Sequence, residues 1–131
     1  MAYPVNQYRE ESDAKRILQI REMIRDLPQA CSDFIRSIAV TTSTLTRLAY
    51  TIDLKTFFYF LHSERIAFAD KVPALLTDQD LEKLTQNDLT AYTEYLTYYF
   101  KTHLDSLARE FIICLSFIEY VQTNKRGKGS I

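Results

Sequence analysis

Glycine is nearly missing from this chain: two in 131 residues, Gly127 and Gly129, both at the C-terminal end. Together with only three prolines, this leaves too few turn residues for a many-stranded sandwich or barrel and none for a glycine-rich phosphate cradle. An all-α fold is the class that remains. Tryptophan is absent, and cysteine is confined to Cys31 and Cys114, far apart in the chain, among apolar neighbours and with no Cys or His at metal-ligand spacing. They read as free, packed thiols, so no metal site and no cofactor are expected. No apolar run approaches the roughly 18 residues of a membrane span, and the opening MAYPVNQYREESD lacks the basic-then-apolar plan of a secretory signal. The expectation is a cytoplasmic protein with no membrane partner.

What is present suits one soluble domain. Hydrophobic residues make up 47% and charged residues 25%, far from the composition of a disordered chain. Nine Tyr and eight Phe supply a large aromatic core. The formal charge of −1 excludes a uniformly basic nucleic-acid binder. That charge is unevenly spread: residues 64–94 hold three cations and seven carboxylates, while residues 34–63 hold three cations and one carboxylate. The last ten residues, QTNKRGKGSI, contain Lys125, Arg126 and Lys128 and no acid. They read as a basic flexible tail or linker.

Periodicity divides the chain into a compact bundle of five or six helices. Ile17, Leu18, Ile20, Met23, Ile24 and Leu27 recur at threes and fours along a first helix over 9–27. Pro28 precedes a short second one bearing Phe34, Ile35 and Ile38. The hydroxyl-rich TTSTLT then opens a long central helix, about 43–62, that contains neither Gly nor Pro. TDQDLEKL reads as a capped turn, and Thr85 or Asn87 caps a further helix; a break near Lys101 separates it from a last helix with Leu107, Phe111, Leu115, Ile118 and Val121 on its core stripe.

On the central helix Thr44, Arg47, Thr51 and Lys55 share one strip with two cations and no acid. The strip is expected to stay in solvent while Leu45, Leu48, Tyr50, Ile52, Leu54, Phe57, Phe60 and Leu61 are buried on two flanks. A polar, acid-free ridge led by Thr41 and Ser43 at a helix N-terminus suits a phosphodiester backbone.

Along this helix the string Ser43-x-x-Thr46-x-x-x-Tyr50-x-x-Asp53-Leu54-x-x-Phe57 resembles the N-terminal core-binding, SAM-like domain of the tyrosine recombinase or phage integrase family. A second string, Leu84-Thr85-x-x-Asp88-Leu89-x-x-Tyr92-x-x-x-Leu96, is similar to that domain's next motif. The similarity spans about 27–100. It implies a SAM-like bundle over 27–121, preceded by an N-terminal helical extension over 1–26 and followed at 122–131 by the linker to a catalytic domain outside this chain. It further implies that the domain is half of a clamp on duplex DNA at a recombination site, working beside that catalytic domain and other recombinase protomers, with strand cutting and rejoining done elsewhere. The DNA-contacting residues would be Thr41, Ser43, Thr44, Arg47, Thr51 and Lys55, with Lys125, Arg126 and Lys128 following the backbone; no catalytic residue is expected here. Residues 102–121 fit the family's last bundle helix through Arg109, Phe111, Phe117 and Tyr120, or else precede it.

Competing readings lie beside these. His62-Ser63-Glu64-Arg65 spells His-x-x-Arg, but so short a pattern arises often by chance and a surface helix end, with cations set by the macrodipole, is the preferred reading. Tyr50, Tyr92, Tyr95 and Tyr120 fall on apolar stripes, where buried rings are ordinary. Asp53, on the buried side, calls for a hydrogen-bonding partner on another helix. The alternative function is a helical protein-interaction adaptor whose acidic middle, Asp78 to Glu94, meets a basic partner.

Overall fold

The computed structural model describes the backbone of residues 4–99 and 104–129 and the side chains of 8–98 and 105–123. Six helices follow one another: α1 (Pro4–Ile24), α2 (Gln29–Ser37), α3 (Thr44–Glu64), α4 (Asp78–Leu81), α5 (Gln86–Tyr99) and α6 (Leu104–Gly129). Two 3-10 turns, Ile66–Phe68 and Pro73–Leu75, bridge α3 to α4. Among the described residues there is no strand. The all-α bundle around a long central helix is therefore the observed architecture.

The helix ends follow from local chemistry. Pro28, at φ −56°, caps α2, where its missing N–H is not needed. Ser43 caps α3: its Oγ accepts from the Thr46 N–H at 3.1 Å and donates to Thr46 Oγ1 at 3.0 Å. Arg65 turns to an extended conformation and ends α3. Thr77 and Asp80 form a reciprocal capping box around α4. Thr85 and Asp88 repeat it eight residues later, around α5, with the Thr85 N–H donating to Asp88 Oδ2 at 2.9 Å. Helices α5 and α6 are separate; their junction, with Lys101, lies outside the described residues.

Helix α3 is the spine, contacted by α1, α2, α5 and α6. Leu54, Phe57, Phe58 and Leu61 on it are fully buried. A train of edge-to-face rings ties it to its neighbours, with centroids 5.7 Å apart for Phe34 and Phe117, 5.7 Å for Phe58 and Phe117, and 5.0 Å for Phe57 and Tyr92. Cys31 and Cys114 are free and fully buried within this core. Two parts differ from the sequence expectation. Helix α1 places Ile20 in the core and lies along α3, so it is a full member of the bundle. The backbone of 122–129 continues α6 as helix rather than leaving it as a loose tail.

Candidate functional site

Two of the four residues on the expected DNA-facing strip of α3 are buried. Thr44 is 7% exposed and Thr51 is fully buried, so neither hydroxyl faces solvent. The cause is α1. Its Asp13 accepts a hydrogen bond from Thr44 Oγ1, and Arg16 Nη1 donates to the same hydroxyl at 3.4 Å. Thr51 Oγ1 satisfies itself by donating to the Arg47 carbonyl at 2.7 Å, the i−4 back-bond that lets a threonine enter an interior. The solvent face of α3 instead carries Leu45, Ile52 and Tyr59, at seven-residue spacing and 58%, 46% and 65% exposed. These correct the expectations that Thr44 and Thr51 lie on a wet strip and that Leu45 and Ile52 are buried.

The other named positions separate into three groups. Thr41 and Ser43 are exposed at the N-terminal end of α3, with hydroxyls bonded to the Ile38 carbonyl and to Thr46. Lys55 is exposed. Arg47 is half-buried, and its Nε is buried without a hydrogen-bond partner among the described residues. The side chains of Lys125, Arg126 and Lys128 lie outside the described residues.

Charge is handled below the surface by a cluster that spacing did not expose. Asp53, 1% exposed, receives two parallel bonds from the α6 residue Arg109, Nη2 to Oδ1 at 2.9 Å and Nε to Oδ2 at 3.0 Å. Its position on the buried side had called for such a partner on another helix. Burial raises the Asp53 carboxyl above its ordinary value, and the guanidinium opposes that rise. One residue along α6, Glu110 is 8% exposed and takes the Tyr92 hydroxyl at 3.4 Å. Its carboxyl is raised first by burial and then by the Asp53 charge. Burial likewise raises Tyr92 and both cysteine thiols. Arg109 closes the cluster from outside and forms part of the wall of a groove of about 430 Å³ with Phe34, Ile38, Tyr50 and Ile112.

A consequence for the surface follows. Asp53 is the single carboxylate in residues 34–63, and it is withdrawn onto Arg109. The exposed surface of that stretch therefore carries Arg36 and Lys55 with no carboxylate of its own.

His62 and Arg65 are occupied structurally. His62 Nδ1 sits 3.3 Å from the Phe68 carbonyl, and Arg65 Nε bonds Asp88 Oδ1 at 2.9 Å. Asp88 thus caps α5 with one oxygen and holds the end of α3 with the other. The residues of both resemblance strings are the ones that cap, clamp and fill this bundle. Arg109 and Glu110 were the residues sequence reasoning did not assemble, and the unpaired carboxylate at Asp53 was the available signal for the first.

No helix among the described residues is long and apolar enough to cross a membrane. No family model, no curated protein and no solved structure matches the chain.

Proposed function

We propose that this chain is a non-catalytic, helical DNA-binding domain of the site-specific recombinase type, gripping duplex DNA through exposed residues of α2, of α3 and of the turn between them. The observation that carries the reading is that residues 34–63 expose Arg36, Thr41, Ser43 and Lys55 while their single carboxylate, Asp53, is buried against Arg109. Cations and hydroxyls without competing acids are the ordinary equipment for phosphate contact. The two motif strings support the reading, since each residue they specify has a structural task in the bundle. Thr44 and Thr51 are no part of this face, and the strand-transfer chemistry belongs to a separate catalytic domain.

The test is fluorescence anisotropy with a labelled duplex over a salt series. Affinity is expected to fall with a log–log slope of about −0.9 per phosphate contacted. Lys55→Glu and Arg36→Glu are each expected to weaken binding several-fold and lower that slope, whereas Lys83→Glu in the acidic middle leaves both unchanged. Binding that is absent, or indifferent to salt, overturns the proposal. Arg47→Glu is a poor probe, because the Arg47 Nε is buried and a carboxylate put in its place would disturb folding as well as any DNA contact.

A further inference from the structure

The acidic middle of the chain contributes to a specific concavity. Between the last turn of α3 and the outer side of α5 lies a cleft of about 240 Å³. Ala91, Glu94, Tyr95 and Tyr98 project into it from α5 at i, i+3, i+4 and i+7, one face of that helix. From α3 come Phe60 and Glu64, four residues apart, followed by Arg65. The space exists because Ala91 stands between large neighbours. The aromatic wall is fixed: Phe60 packs on Tyr95 with centroids 5.0 Å apart and on Tyr92 at 5.3 Å. Tyr98 is 77% exposed and forms the outer lip.

Carboxylates outnumber cations in the lining, two to one. Glu64 and Glu94 are exposed and make no ion pair among the described residues. Arg65 shares the cleft but is bonded through Nε to Asp88. Two carboxylates with no ion pair among the described residues, beside aromatic rings, attract a cation through both Coulombic and cation–π terms. A guanidinium fits better than an ammonium here: it is planar, stacks on ring faces, presents donors in a fork to carboxylates and sheds water at less cost.

We propose that this cleft binds the arginine side chain of a protein partner, with the guanidinium against Tyr98 and Tyr95 and its N–H groups donated to Glu64 and Glu94. The site is independent of the DNA-binding reading, and its negative potential turns polyanions away.

The experiment is a titration of the isotope-labelled chain with the peptide acetyl-Gly-Ser-Gly-Arg-Gly-Ser-Gly-amide, followed by amide chemical shifts. Its citrulline counterpart keeps the shape and loses the charge. Saturable shifts are expected at 60–65 and 91–98 with the arginine peptide, weakening as salt is added. The citrulline peptide, the E64Q/E94Q double variant and Tyr98→Ala should each weaken binding by about tenfold or more. Both glutamates are exposed and Glu64 ends a helix, where loss of negative charge does not harm folding; circular dichroism of each variant verifies that. No saturable shift at these positions, or equal binding by the citrulline peptide, or binding unchanged in E64Q/E94Q, overturns the proposal. Tighter binding of the corresponding lysine peptide overturns the choice of guanidinium.

Discussion

Two aspartate–arginine pairs hold this bundle, and they are built differently. Asp53 meets Arg109 across 56 residues, on α3 and α6, and both oxygens go to that one guanidinium. Asp88 meets Arg65 across 23 residues, but its other oxygen already caps α5 through the Thr85 N–H and hydroxyl. The first carboxylate depends on a single partner, and the second has a helix terminus in reserve. Burial alone therefore does not rank the two pairs, because both aspartates are nearly inaccessible. What ranks them is the number of independent donors left when the arginine is removed.

The comparison can be broken most directly at α6. Arg109→Ala strands a buried charge and is expected to cost about 3 kcal/mol in urea unfolding, discounted from the largest such losses because Arg109 itself is half exposed. Adding Asp53→Asn to that variant should restore most of the loss, and failure to do so would show that Arg109 acts through packing. Arg65→Ala removes one charged bond from an aspartate that keeps its cap, so the expected cost is about 1 kcal/mol. Equal losses in the two single variants would end the distinction.

Glu110 sharpens it from another side. Its folded carboxyl titrates above its unfolded value, so it favours the folded state below the unfolded pKa and loses that contribution as pH rises through the folded one. Glu110→Gln keeps an acceptor for the Tyr92 hydroxyl and should raise Tm by a few degrees at neutral pH. The gain should vanish when the wild type is protonated, near pH 3 and below. A gain that persists in acid would place the effect in packing.

The smallest effect belongs to the exposed box at α4. Asp80 is held down to about 2 by the Thr77 N–H and then by Lys71. Its contribution is present above the ordinary carboxylate range and is lost as pH falls toward about 2. Asp80→Asn should therefore lower Tm slightly at pH 7, the difference shrinking to nothing as pH falls through about 2, as read by a pH series of thermal melts.

How far the sequence disclosed this molecule varied with the kind of signal. Caps were legible, since the hydroxyls of Ser43, Thr77 and Thr85 accept from backbone N–H groups three residues on. The buried station of Asp53 was legible from helical projection, but Arg109 was not, because a partner on another helix leaves no spacing to read. The outward face of α3 was misread for a physical reason. A helix with apolar residues around most of its circumference does not declare which side is covered, and threonine counts as polar in projection although its hydroxyl can be satisfied by its own helix. Thr51 shows this, bonded to the Arg47 carbonyl in a fully buried place. The decisive information lay in α1, whose Asp13 and Arg16 answer Thr44.

The seating of α1 on α3 bears on how the domain is to be handled at the bench. A recombinant fragment trimmed at residue 27 would shed Ile20 and take Asp13 and Arg16 away from Thr44, laying bare a hydroxyl on the same helix as Arg47. Such a fragment would display an artificial anion-binding surface of its own making. Retention on heparin by the trimmed protein would then say nothing about the intact one.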